Sequence, residues 1–232
     1  DSMCYYISME GGIFHLLNRG VEKRTVFLND IDYLRFVHDL HDFNNKNNAY
    51  QSYFFRRMQD MEVAPPYEKK EIIDLLCWAL LPNHPHILLV EREDGNAGIF
   101  SRKVFGGYTM YFNEENKRNG VLFQGRTKII RIERDAHLIY LPFYIHANPL
   151  DLFQSNWKED GIKDVDGAIK FLEEYRWSNL RDIIGEGNRE FAHLTNKKLF
   201  FEMFGTDATR YKEDFRAWIR SKGYKSNFKA FE

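Results

Sequence analysis

Leu80-Leu81-Pro82-Asn83-His84-Pro85-His86-Ile87-Leu88-Leu89-Val90 is the stretch whose reading decides the fold. Two histidines stand one residue apart at the start of an apolar run. In an extended strand, positions i and i+2 point to the same face, so both imidazoles can reach one small object. A divalent metal ion is the obvious candidate, because neutral imidazole is a common metal ligand. The plainer alternative is two polar residues at the open end of a strand. Upstream, Ile72 to Leu81 is a second apolar run, and Pro82-Asn83 reads as a tight turn. The pair is therefore a buried hairpin, with its return strand over His84 to Arg92.

Working outward from that hairpin, Gly12 to Leu17 is β-rich and is broken by Asn18-Arg19-Gly20. Asn29-Asp30 looks like a helix cap, followed by Tyr33, Phe36, Val37, Leu40 and Phe43 at helical spacing. Residues 44–48 are polar and turn-prone, and residues 49–70 read as an insertion. Ala97 to Asn116 is again helical, weakened by Gly106-Gly107, where another backbone or a ligand has room to approach closely. Asn119-Gly120 is a turn, and Val121 to Ile132 reads as a strand with Gln124, Arg126, Lys128 and Ile130 on one face. A helix from Arg134-Asp135 to about Ala147 contains Pro142, which costs ~3 kcal/mol in a helix interior. That predicts a kink, or a second helix starting at Pro142. Pro149 disfavours helical geometry at Asn148 and ends the helix there. Beyond residue 150 the spacing is mainly helical. The order strand, helix, hairpin, helix, strand, helix is an α+β plan: an antiparallel sheet with flanking helices and a C-terminal helical extension.

The chain has 232 residues, 44 % apolar and 16 % aromatic, enough for one sizeable core with or without an appendage. It has no uncharged apolar run long enough for a transmembrane helix, and Asp1-Ser2-Met3 does not read as a signal peptide. Cys4 and Cys77 are the only cysteines, which supplies neither a zinc spacing nor a disulfide framework; a reducing cytosol is the expected setting. Net charge is −1, but its distribution is uneven. Residues 101–134 carry eight Lys or Arg against three Glu, whereas residues 151–190 carry six against ten Asp or Glu. A basic middle segment suits a polyanion such as nucleic acid; it suits an ordinary solvated helix face equally well.

Tyr144 and Asn148 are spaced i, i+4, so they share a helix face. Two imidazoles and one amide oxygen leave open positions suited to hydrated Mg²⁺ or Mn²⁺, acting as Lewis acid and template. A tyrosine beside such an ion can attack phosphorus and conserve the bond energy as a phosphotyrosine. The alternative for Tyr144 is a core tyrosine with a bonded hydroxyl. Tyr140, one turn earlier, is a rival nucleophile. His146 points elsewhere on the helix and stays outside the metal shell, and His137 reads as structural or surface. Arg19, Lys23 and Arg24 add cations just beyond the first strand.

His84-Pro85-His86 on a strand, with Tyr144 and Asn148 on a later helix, resembles the single-tyrosine HUH transposases: insertion-sequence transposases and REP-associated tyrosine transposases. Phe14 to Gly20, Leu81 to His84, Tyr108 to Asn113 and Phe123 to Arg126 have the look of that family's motifs. The similarity runs from about residue 12 to 150, and more loosely to Tyr175-Arg176-Trp177-Ser178. The resemblance implies a ferredoxin-like HUH palm over residues 4–150, with 151–232 as a helical accessory region. It implies His84, His86 and Asn148 as ligands of Mg²⁺ or Mn²⁺, and Tyr144 as the nucleophile on single-stranded DNA beside a hairpin. The products would be a 5′-phosphotyrosine and a free 3′-OH. Arg19, Lys23, Arg126 and Lys128 become candidate DNA contacts. A homodimer exchanging its tyrosine helices, and a prokaryotic, nucleoid-associated setting in the cytoplasm, belong to the same expectation. Two departures stand out: Pro85 replaces the usual bulky apolar residue between the histidines, and Pro142 precedes the tyrosine. A domesticated hairpin-binding protein that does not cut is the first competing reading. A small-phosphoester hydrolase is the second; no Asp or Glu adjoins the histidines to activate water for it.

Overall fold

The β-rich runs and helical periodicities assemble as the pattern dictates in the computed structural model, which describes residues 11–47, 69–185 and 189–221. The elements are β1 (Ile13–Leu17), α1 (Asp30–Asp42), β2 (Ile73–Leu81), β3 (His84–Glu91), α2 (Asn96–Glu115), β4 (Lys128–Arg131) and α3 (Asp135–Ala147). There follow α4 (Leu150–Phe153), α5 (Trp157–Asp160), α6 (Val165–Glu174), α7 (Leu180–Ile184), α8 (Lys197–Phe204) and α9 (Ala208–Arg220). The sheet order is β2-β3-β1-β4, with every neighbouring pair antiparallel. Two β-α-β halves sharing one sheet in this order give the ferredoxin-like arrangement. The expected insertion at 49–70 lies outside the described residues as far as position 68, and so does Cys4. Among the described residues no helix is long and apolar enough to cross a membrane.

The sheet has a different core on each side. On one side Leu16, Leu75, Trp78, Leu80, Ile87 and Leu89 pack with α1 and α2 residues such as Phe36, Leu40, Phe100 and Tyr108. On the other, Ile13, Cys77, Ala79 and Leu88 pack under α3 and share one cluster with Trp157, Leu172, Phe200 and Phe215 from the later helices. The helices beyond residue 150 thus complete the second face of the sheet. A bulge between Leu75 and Cys77 sets which residue faces which side. The extra residue shifts the alternation by one, so Ala79 stands opposite His86 on the α3 side and Trp78 opposite Ile87 on the other.

Three local expectations change. The strand expected over 121–132 forms only as Lys128–Arg131. Gly125 takes φ +70, which breaks the extended run; upstream, Phe123 bridges to Gly20 and the Gln124 amide donates to the Arg19 carbonyl. The shared face therefore holds for Lys128 and Ile130 but does not extend to Arg126. Helix α3 runs unbroken through Pro142, so no second helix starts there. The helix ends at Ala147 as expected, but its cap Asn148 keeps helical angles (φ −54, ψ −34) despite Pro149. Its burial and the bond from its own Nδ2 to the Tyr144 carbonyl (2.9 Å) outweigh the local preference.

Of the paired glycines of α2, Gly107 lies where a Cβ would overlap the Phe43 ring, so a side chain approaches there and not the backbone or ligand expected, while Gly106 faces open space.

Candidate active site

The hairpin delivers the histidines. Leu81 and His84 flank the two-residue turn and form its closing pair. In the next pair, Leu80 and Pro85, the backbone nitrogens then point away from each other. The Leu80 amide donates to the Trp177 carbonyl at 2.8 Å. The Pro85 nitrogen points toward β1, whose last pair with β3 is Leu17 with His86. A residue without an N–H costs nothing there, so Pro85 fits that position.

His84 and His86 lie 4.8 Å apart between ring centroids. Leu17 pairs with both His86 and Lys128, so these three residues share one face of the sheet. Helix α3 crosses that face and sets the Tyr144 ring edge-on to His86, with centroids 5.9 Å apart. Asn148, one turn on, is buried with its Oδ1 accepting a hydrogen bond from Lys158 Nζ at 3.4 Å. The same ammonium is 3.3 Å from Tyr144 Oη and 5.0 Å from the Tyr144 ring centroid. Thus His84, His86, Tyr144 and Asn148 are brought together within one protomer. Tyr144 is only 2 % exposed, whereas the rival Tyr140, one turn earlier, is 43 % exposed.

Sequence reasoning missed two members. His15 on β1 stacks on His86 (centroids 5.2 Å, 9° between planes), and its Nε2 lies 3.0 Å from His86 Nδ1. The available signal was a lone histidine in an apolar strand, two residues from Ile13 on the α3 face. Lys158 sits in the four-residue helix α5, for which neither periodicity nor motif gave a signal.

The nitrogens divide in a way that suits a metal. His84 Nδ1 donates to Asn83 Oδ1 at 2.6 Å, and His86 Nδ1 is engaged with His15. Such bonds orient a ligating imidazole and fix its tautomer. His86 Nε2 is buried with no hydrogen-bond partner. A buried nitrogen in that state is costly unless something coordinates it. Burial, followed by the nearby charges of His84, His15, Lys158 and Arg19, holds the His86 pKa well below its usual value. Burial lowers His15 to about 3. Neutral imidazole is the form that binds metal. His84, His86 and the Asn148 oxygen therefore fit a cation that accepts mixed nitrogen and oxygen donors. Among the described residues no group of three or more His, Cys, Asp or Glu could hold a metal, and the Asn148 amide oxygen is the further protein donor on this side of the sheet.

The candidate DNA contacts are spread more widely. Half-buried Arg19 lies close enough for its charge to act on His86. Lys23 is exposed at left-handed φ +59, next to Glu22 at φ +56, in a loop pinned by the Gly20 amide donating to the Asn83 carbonyl. Two non-glycine residues in that region cost roughly 1–2 kcal/mol each, so the surrounding bonds hold the loop in shape. Exposed Lys128 follows the histidines across the sheet. Arg126 lines a separate cleft of about 650 Å³ between α2 and residues 121–129, together with Arg102 and Phe105.

No family model matches the chain, and no curated protein matches it. Among solved structures, one of a REP-associated tyrosine transposase bound to a REP hairpin is similar over 79 % of this chain and 86 % of that one. The two are 13 % identical with a TM-score of 0.44.

Proposed function

We propose that this protein cuts and rejoins single-stranded DNA beside hairpins, with Tyr144 as nucleophile. The observation that carries the reading is the meeting of Tyr144, from α3, with His86, whose buried Nε2 lacks a partner. In the proposed step the Tyr144 Oη–P bond forms and the P–O3′ bond breaks. The phenolic proton passes to water, and the departing 3′ oxygen takes one back, leaving a 5′-phosphotyrosine and a 3′-OH. His84, His86 and Asn148 would hold Mg²⁺ or Mn²⁺, which as a Lewis acid would withdraw charge from the phosphoryl oxygens. Asn83 and His15 hold the two imidazoles in orientation, and Arg19 brings positive charge for the phosphate. Tyr144 is 2 % exposed with Lys158 reaching over its ring, so entering DNA must displace what covers the phenol.

The test is incubation with hairpin-flanked single-stranded DNA and Mn²⁺, followed by denaturing electrophoresis. A covalent adduct is expected, retained in Tyr140→Phe and reduced at least about a thousandfold in Tyr144→Phe, as for loss of a nucleophile. Binding of the same DNA with no adduct would favour the non-cutting reading, for which the 2 % exposure of Tyr144 is the supporting observation.

A further inference from the structure

Lys158 already occupies the oxygen that the cation site would use. Its Nζ lies 3.4 Å from Asn148 Oδ1 and 3.3 Å from Tyr144 Oη, between the third donor and the nucleophile. It is held there by its neighbours. Trp157 is fully buried, and its Nε1 donates to Asp151 Oδ1 at 2.7 Å. Asn156 at φ +59 and Gly161 at φ +86 bound the short helix, and Gln154 ties it together through the Gly161 carbonyl and the Lys163 amide. The side chain therefore leaves a braced turn at a fixed place and reaches over the Tyr144 ring.

We propose that Lys158 is a positioning residue that acts as a tethered cation, competing with the divalent ion for Asn148 and holding Tyr144 until a DNA phosphate draws it away. An ammonium and a dication cannot share one amide oxygen without strong repulsion, which the partly buried setting screens poorly. An entering phosphate is the natural acceptor for the displaced ammonium, since charge-assisted hydrogen bonds to phosphate exceed one to a neutral amide. Metal and DNA binding are then coupled: each makes room for the other. This inference rests on reading His84, His86 and Asn148 as a cation site.

The experiment is titration of the full-length protein with Mn²⁺ alone, with free Mn²⁺ read by electron paramagnetic resonance. Lys158→Met and Lys158→Gln are expected to bind Mn²⁺ at least about tenfold more tightly than wild type, a shift of about 1.4 kcal/mol. Lys158→Arg, which keeps the charge, is expected to stay near wild type. Adding His86→Ala to Lys158→Met should abolish the gain. Equal or weaker binding in both Lys158→Met and Lys158→Gln would overturn the proposal. A gain that survives His86→Ala would overturn it too, as would absence of Mn²⁺ binding in wild type and variants alike. Covalent adduct formation is scored separately. A Mn²⁺ gain without any adduct sinks the nuclease reading and leaves the role of Lys158 standing; an adduct without the gain does the reverse.

Discussion

His86 and His146 are both buried on the α3 side of the sheet, 2 % and 0 % exposed, and burial lowers the pKa of each. What separates them is partners. His146 Nδ1 meets Tyr211 Oη at 2.9 Å, and its Nε2 meets Asn179 Oδ1 at 2.9 Å and Cys77 Sγ at 3.1 Å. Asn179 extends that network by accepting from the Trp78 amide and donating to the Leu76 carbonyl and Thr195 Oγ1. This satisfied cluster ties β2 and α3 to the later helices. His86 has one nitrogen engaged by His15 and the other unmet. Burial and a depressed pKa mark both residues; of the two, only the one beside Tyr144 has unfilled bonding capacity.

That contrast can be broken first through stability. His146→Ala removes several buried hydrogen bonds and leaves a cavity, so urea unfolding should lose about 3 kcal/mol or more. His86→Ala leaves a similar cavity but should lose clearly less, because it removes one bond against three and also relieves one unmet nitrogen. Equal losses would mean that His86 is as structural as His146. Next, Asn83→Ala should weaken Mn²⁺ binding about tenfold by freeing the His84 ring to turn. An unchanged affinity would deny Asn83 its orienting part.

A further effect concerns acid and is read as a slope. The folded-state pKa of His146 is lowered to about 4, chiefly by burial and partly offset by the Asn179 bond. An unfolded histidine titrates near 6.5, so between these values the unfolded chain holds more protons. The stability that neutral His146 contributes is thus intact above pH 6.5 and is lost as pH falls toward 4, by up to about 1.4 kcal/mol per pH unit. His146→Gln should flatten the dependence of urea midpoints on pH across that window. An unaltered slope would show that His146 is already protonated in the folded state.

Much of this was legible in the chain because a few residues carry strong local signals. Pro82-Asn83 between apolar runs fixed the hairpin, and with it the register that places His84 and His86 on one face. The Tyr144–Asn148 spacing survived because burial kept Asn148 helical against the push of Pro149. The extent of β4 was not legible, since a positive φ at Gly125 is a choice that glycine permits without announcing it. His15 and Lys158 were hidden for different reasons. His15 reaches His86 only through strand pairing, a long-range fact, while Lys158 is delivered by a braced turn within an acidic stretch.

A manganese anomalous difference map from crystals of the full-length protein tests the central claim most directly. The account predicts a peak within bonding distance of His86 Nε2 and His84, with Asn148 Oδ1 turned toward it, and none near His146. A map without that peak at saturating Mn²⁺, with a protein atom satisfying His86 Nε2 instead, would contradict it.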